Sequence, residues 1–100
     1  MRRGVTEYQI TYWREFPSLV TARAGDEIAK SPLPQRFQEA IDEAAMRVGA
    51  VDSDAYLEGW RRADWVEAPG TPAEVAAEVA ARLDEELSAA RVDRMLEDLT

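Results

Sequence analysis

The chain has 100 residues, of which 46% are hydrophobic and 32% are charged, and its formal net charge is −8. This length and composition predict one globular domain. Cysteine and histidine are both absent, which excludes disulfides, thiolate metal sites, and catalysis by a histidine or cysteine of this chain. We therefore expect no catalytic residue, no cofactor, no metal site and no enzymatic activity.

The charge is unevenly distributed along the chain. Residues 1–66 carry 9 basic and 11 acidic side chains, a balance of −2, whereas residues 67–100 carry 3 and 9, a balance of −6. Such a chain is repelled by a phosphate backbone, so we expect no nucleic-acid partner. No apolar run reaches the roughly 18 residues that span a bilayer, and the first ten residues lack the apolar stretch of a secretion signal. We expect a cytoplasmic protein with no membrane partner.

The first third of the chain has the pattern of a small antiparallel meander. Residues 5–13 alternate in polarity, which predicts a strand with Tyr8, Ile10 and Tyr12 on its apolar face and Trp13 on the other. A turn is predicted at residues 16–18, and strands at 19–24 and 27–30 on either side of a second turn at 25–26.

Two helices are predicted in the middle of the chain. Residues 34–48 form an amphipathic pattern in which Phe37, Ala40, Ile41, Ala44 and Val48 share one side. Asp52 or Ser53 is a suitable cap for a short second helix over residues 54–60. Residues 64–68 follow as a further candidate strand.

The clearest local signal is the start of a third helix. Thr71 and Glu74 have the spacing of a capping box, and Pro72 occupies the first helical position. The helix is predicted over residues 72–90, with one apolar stripe made of Val75, Ala76, Val79, Ala80, Leu83, Leu87 and Ala90.

Together these elements predict an α+β fold. A small antiparallel sheet of two to four strands is covered by two main helices and a short helix. We expect a single compact domain in which residues 1–68 hold the meander and the first helices, and residues 69–100 hold the capped helix and an acidic tail. The predicted core consists of Tyr8, Ile10, Tyr12, Val20, Phe37, Ile41, Ala44, Val48, Leu57, Val75, Val79, Leu83 and Leu87.

The tail has a second apolar stripe, formed by Val92, Met95, Leu96 and Leu99. On one continuous helix this stripe points away from the stripe that contains Leu83. Three alternatives remain open: the helix breaks near residues 88–91 and folds back on its own domain, the tail binds a partner or a second copy, or the tail frays.

The second candidate site is a group of arginine and aromatic residues that we call the Arg–aromatic set. Arg, Trp and Tyr commonly anchor protein interfaces, and Arg also binds carboxylates and phosphates through two parallel hydrogen bonds. The alternative is a purely structural role, in which the rings fill a small core and the arginines pair with nearby acids. The set comprises Tyr12, Trp13, Arg14, Tyr56, Trp60, Arg61 and Arg62.

Two groups of acidic residues are weaker candidates for a functional site. The group made of Asp52, Ser53, Asp54 and Glu58 lacks the ligand spacing of a calcium loop, and helix capping explains its first residues. The paired carboxylates at residues 42–43 and 84–86 lie on outer helix faces, whereas acid–base catalysis needs an environment that shifts a carboxyl pKa.

Three stretches resemble a bacterial family of small proteins labelled virulence factor. They are YWREFP at residues 12–17, RFQEAIDEAAMR at 36–47 and DAYLEGWRR at 54–62. A related domain occurs in conserved virulence factor C, beside a domain similar to Nfu-type iron–sulfur scaffolds. The resemblance covers residues 5–66, and we expect it to end before Pro69.

The resemblance implies an accessory role, because stand-alone members of the family lie near genes of folate- and corrinoid-linked one-carbon metabolism. We expect a non-catalytic interaction module whose partner is another protein, such as a one-carbon-metabolism enzyme, or a second copy. The alternative is a binder or sensor of a small anionic metabolite held by Arg14, Arg61 and Arg62. Without cysteine, the chain could not itself hold an iron–sulfur cluster.

Overall fold

The computed structural model describes residues 5–50 and 52–99. These residues form an α+β fold, as the sequence predicts. In chain order the elements are β1 (Glu7–Trp13), β2 (Phe16–Ala24), β3 (Glu27–Pro32), α1 (Gln35–Arg47), α2 (Ser53–Glu58), β4 (Trp60–Arg62), β5 (Val66–Glu67), α3 (Pro72–Glu86) and α4 (Ala89–Glu97).

All pairings in the sheet are antiparallel, and the strand order is β3-β2-β1-β4, with β5 also paired to β1. The two short strands therefore share one side of β1, with β4 opposite its last three residues and β5 opposite its first two. The sheet has five strands rather than two to four. The short helix was expected to reach residue 60, but it ends at Glu58, because Trp60 pairs with the free edge of β1 instead.

The first hairpin differs from its prediction. The turn consists of Arg14 and Glu15, with Arg14 in the left-handed region at φ 53°, so the predicted turn at residues 16–18 is wrong. Phe16 and Pro17 belong to β2, and the register shifts between Thr11 and Tyr12. This irregularity accommodates Pro17, which has no backbone N–H to donate to a regular ladder.

The core lies between the sheet and the long helices. The β2 residues Val20 and Ala22 are buried with Val75 and Val79 of α3, and Phe37 of α1 joins the same cluster. Residues from both 1–68 and 69–100 contribute to this one cluster. The prediction is confirmed for the fully buried members Val20, Phe37, Ile41, Ala44, Val75 and Val79, and the partly buried residues packed against them are Tyr8, Ile10, Val48, Leu83 and Leu87.

Tyr12 was expected in the core, but it is only half-buried and lies outside the core cluster. Two further assignments were wrong in opposite directions. Leu57 was expected inside but is 63% exposed, because the short α2 turns this side chain to solvent. Trp13 was placed on the polar face of its strand but is 0% exposed. Trp13 is buried because α2 packs on it: the Trp13 ring stacks on the Tyr56 ring, and the indole N–H donates to the Tyr56 carbonyl.

The tail folds back onto its own domain. The third helix ends at Glu86 rather than residue 90, and the Ser88 hydroxyl caps α4 by accepting a hydrogen bond from the Arg91 backbone N–H. Val92 and Leu96 are buried where α4 contacts α1. Because the chain forms two helices rather than one, both apolar stripes pack against the same core.

The described fold is elongated, with principal extents of 52 × 29 × 18 Å and a radius of gyration of 15.0 Å. The helix α3 packs on β1, β2 and β3, whereas α1 packs on β2 and α4, and α2 contacts β4. Across residues 5–50 and 52–99, none of the helices has the length and hydrophobicity needed to cross a bilayer.

Candidate functional site

The structure gathers the Arg–aromatic set at one end of the sheet, where β1 pairs with β4 and α2 packs beside them. Trp13 lies opposite Trp60, and Tyr12 lies opposite Arg61 in the β1–β4 register. The turn that carries Arg14 is joined to this region by a 2.8 Å hydrogen bond from the Arg14 N–H to the Gly59 carbonyl. Residues far apart in sequence, such as Trp13 and Tyr56 at a separation of 43 positions, thus form one region.

Trp13 is the buried support of this region rather than part of its surface. Its indole Nε1 donates a 2.7 Å hydrogen bond to the Tyr56 carbonyl, and its ring stacks on the Tyr56 ring with 5.8 Å between centroids. Gly59 makes room for the indole, since a Cβ there would lie 2.4 Å from the Trp13 Cε2 atom. Trp13 therefore fixes α2 and the start of β4 against β1.

The remaining members of the set reach the surface. Arg14, Arg61 and Arg62 are exposed, and Tyr12, Tyr56 and Trp60 are half-buried. The Arg61 Nε donates a 3.0 Å hydrogen bond to the Arg14 carbonyl, and the Arg61 guanidinium lies 4.4 Å from the centroid of the Tyr12 ring. These contacts hold cationic and aromatic groups in place before any partner arrives.

The three arginines do not converge on one point. Adjacent residues of a strand direct their side chains to opposite faces. Arg61 is paired with Tyr12, whereas Arg62 is paired with Thr11 on the other face. The structure thus brings Arg14 and Arg61 together and separates Arg62 from them, so the region is an extended surface rather than a closed anion pocket.

Sequence reasoning missed a neighbouring group on the sheet face that Arg62 shares. The Arg23 guanidinium lies 3.7 Å from the centroid of the Trp65 ring, although the residues are 42 positions apart. Both line an open cavity of about 270 Å³ together with Lys30 and Arg62. The alternation of residues 19–24 and 27–30 places Arg23 and Lys30 on one face, which is the signal that could have found them.

The acidic candidates have structural roles or remain dispersed. The Asp52 carboxylate caps α2 by accepting a 2.8 Å hydrogen bond from the Ala55 N–H. Asp84 pairs with Arg36 at 2.6 Å and so joins α3 to α1. Among residues 5–50 and 52–99, no group of three or more acidic side chains is arranged to hold a metal ion.

The tail residues occupy the interface between α4 and α1. Val92 and Leu96 are 5% and 8% exposed, and Met95 and Leu99 are partly buried against the same core. The Leu96 carbonyl also accepts a hydrogen bond from Arg47 of α1. Val92 and Leu96 therefore pack within the domain, whereas Met95 and Leu99 remain partly accessible.

In a comparison with known families, a family described as "Virulence factor" matches residues 11–96. The match contains the whole Arg–aromatic set, and it continues through α3 into α4. The sequence motifs had led us to expect that the resemblance would end before Pro69. This expectation was wrong, because the match extends to residue 96. Comparison with curated proteins and with solved structures found no match.

Proposed function

The chain belongs to the virulence factor family, and from this premise we propose that it is a non-catalytic accessory module that binds a protein partner through the Arg–aromatic set. The observation that carries the proposal is the arrangement around Trp13, which places three exposed arginines and three half-buried rings at one end of the sheet and holds Arg61 against Arg14 and Tyr12. Trp, Tyr and Arg dominate the binding energy of protein interfaces.

The rigidity of this region supports a binding role. An interface loses affinity when long side chains must be ordered on association, at about 0.5–1.5 kcal/mol for each side chain immobilised. Arg61 is already held by its hydrogen bond to Arg14 and by the Tyr12 ring. The edge-on contact between Tyr56 and Trp60, with 5.9 Å between ring centroids, likewise restrains Trp60.

A protein partner suits the geometry better than a small anionic metabolite does. A tightly held small ligand is usually enclosed in a concave pocket with a few convergent polar groups. Here Arg61 and Arg62 leave opposite faces of β4. A protein surface can engage both faces of this sheet end, whereas one small anion cannot contact all three guanidinium groups from a single position.

The accessory role is supported by composition and by the placement of the acidic groups. The chain has no histidine or cysteine, which removes the side chains most often used as a general base or a nucleophile at neutral pH. The carboxylates at positions 42, 43, 85 and 86 are on exposed helix faces. We propose a one-carbon-metabolism enzyme as the partner, on the strength of the family resemblance alone.

The test is quantitative affinity capture from native cells with the full chain and with Arg61→Glu/Arg62→Glu. We expect the double variant to lose at least about tenfold of the captured partner, equivalent to about 1.4 kcal/mol. Arg82→Glu/Arg91→Glu is the matched control, because it makes the same charge change at two exposed helix positions remote in sequence from the set. Thermal unfolding of both variants checks that each is folded.

Equal capture by the wild-type chain and Arg61→Glu/Arg62→Glu would remove the Arg–aromatic set as the binding region. Loss of capture in both double variants would indicate a nonspecific response to net charge. A captured partner outside folate- and corrinoid-linked metabolism would leave the interaction in place and refute its assignment to one-carbon metabolism.

A further inference from the structure

The sheet has a second face, which we call the outer face, directed away from the core residues Val20 and Ala22. Cross-strand rows define it: Gln9 lies opposite Thr21, which lies opposite Lys30, and Arg23 lies opposite Ile28. These side chains are partly or fully exposed. They line an open cavity whose lining residues are Gln9, Thr11, Leu19, Thr21, Arg23, Ile28, Lys30, Arg62 and Trp65.

The charge of this cavity is opposite to that of the chain. Its lining includes Arg23, Lys30 and Arg62, and none of the lining residues carries a carboxylate, although the net charge of the chain is −8. Within residues 5–50 and 52–99, Lys30 and Arg62 form no ion pair. Two unneutralised cations on one face of an acidic protein favour an acidic partner.

Among the paired strand residues of the outer face, carboxylates occur only at the end near β5. Glu7 pairs with Arg23 at 3.2 Å, and Glu67 lies opposite Glu7 in the register. The cationic part of the face therefore runs from Lys30 toward Arg62, away from these two acids. The outer face therefore carries positive charge at one end and acidic side chains at the other.

Apolar groups lie between the cations. The Trp65 ring is half-buried beneath the Arg23 guanidinium, Ile28 is 63% exposed, and Leu19 is half-buried beside Thr21. A stacked Arg–Trp pair is a rigid anchor of the type found at interface hot spots. The surface can thus accept a segment that has acidic residues around an apolar one.

We propose that the outer face docks an acidic segment of the partner protein, with Lys30 and Arg62 contacting its carboxylates and Trp65 and Ile28 contacting its apolar side chain. This inference rests on the proposed function, because Arg62 belongs both to the Arg–aromatic set and to the outer face. A protein segment is favoured over a nucleic acid because the acidic remainder of the chain repels a long phosphate backbone.

The experiment selects random short peptides, displayed on phage, on the immobilised full chain. We expect the selected peptides to be enriched in Asp and Glu around an apolar residue. Binding of a selected peptide should weaken at least about tenfold on Ile28→Ser/Lys30→Glu and should fall with added salt. Arg82→Glu is the matched control, because it makes the same charge change at an exposed position of α3, which packs on the opposite, core face of the sheet, and peptide affinity should stay within about twofold.

Selected peptides without an acidic excess, or with equal affinity for Ile28→Ser/Lys30→Glu, overturn the inference. A single-stranded RNA that displaces the peptides assigns the face to nucleic acid and overturns it too. So does a dimer of the wild-type chain that this double variant dissociates, because the occupant is then a second copy. Lys30→Glu alone repeats the test if the double variant fails to fold, judged by a thermal midpoint more than about 8 °C below wild type.

The two proposals fail in different ways. If Arg61→Glu/Arg62→Glu lowers partner capture but the selected peptides show no excess of Asp and Glu, the accessory function is retained. The outer face is then not its docking site. Acidic selection that depends on Lys30, together with unchanged capture by Arg61→Glu alone, retains the outer face, which includes Arg62 but not Arg61, and removes the rest of the Arg–aromatic set as the binding region.

Discussion

The two stretches that the sequence offered for partner binding, the Arg–aromatic set and the tail stripe, have different positions in the fold. The tail stripe packs on α1, so its apolar side chains complete the domain that carries them. The Arg–aromatic set buries one tryptophan and leaves three arginines exposed. Aliphatic side chains gain free energy from burial anywhere in the domain, whereas a guanidinium group is costly to bury without partners.

The same contrast exists within the Arg–aromatic set, between two tryptophans that lie opposite each other. Trp13 is buried and hydrogen-bonded to the Tyr56 carbonyl, whereas Trp60 is half-buried and partly accessible. The two rings therefore have separable roles. We expect Trp13 to determine stability and Trp60 to contribute to binding.

The largest expected effect is that of Trp13→Ala, which should lower the free energy of unfolding by about 3–5 kcal/mol. The change removes a fully buried ring and leaves the Tyr56 carbonyl without its indole donor. Urea denaturation measures the loss. Trp60→Ala is the matched comparison, and an equal loss from both variants would show that the two rings do not have separate roles.

Leu96→Ala should lower the free energy of unfolding by about 2–5 kcal/mol if α4 is part of the domain. Leu57→Ala is the control, because Leu57 is 63% exposed and its truncation should change stability by less than about 0.5 kcal/mol. Urea denaturation combined with light scattering provides the test. A small stability change for Leu96→Ala together with a change in oligomeric mass would place the tail stripe at an interface between copies.

The smallest expected effect is that of Gly59→Ala, which should lower the free energy of unfolding by about 1–3 kcal/mol. The added methyl group overlaps the Trp13 ring, which is enclosed and has little room to move. The cost should fall in a Trp13→Ala background, where the ring is absent. Additive effects of the two changes would mean that the glycine is needed for another reason.

Local patterns were sufficient to predict most elements of the fold. The capping box at Thr71 and Glu74 forms as expected, and α1 spans nearly the predicted residues. Both features depend on contacts between residues a few positions apart, which a sequence displays directly. The α+β class follows from the same periodicities.

The errors arose where distant contacts decide the outcome. Trp60 left the predicted helix because it pairs with β1, and Trp13 is buried by its contacts with Tyr56, 43 positions away. The Arg–aromatic set was found from residue type, but the opposite directions of Arg61 and Arg62 depend on β4, which was not predicted. The Arg23–Trp65 stack joins β2 to the loop between β4 and β5, and no local spacing reports such a contact.

The elongated outline of the fold has a consequence for measuring its mass. A compact domain of 100 residues has a radius of gyration of about 13 Å, whereas this one has 15.0 Å. An elongated particle diffuses more slowly than a sphere of equal mass, so a column calibrated with globular standards overstates the mass of the monomer. Early elution is therefore no evidence for a dimer here, and the oligomeric state must be determined by a method that does not depend on shape.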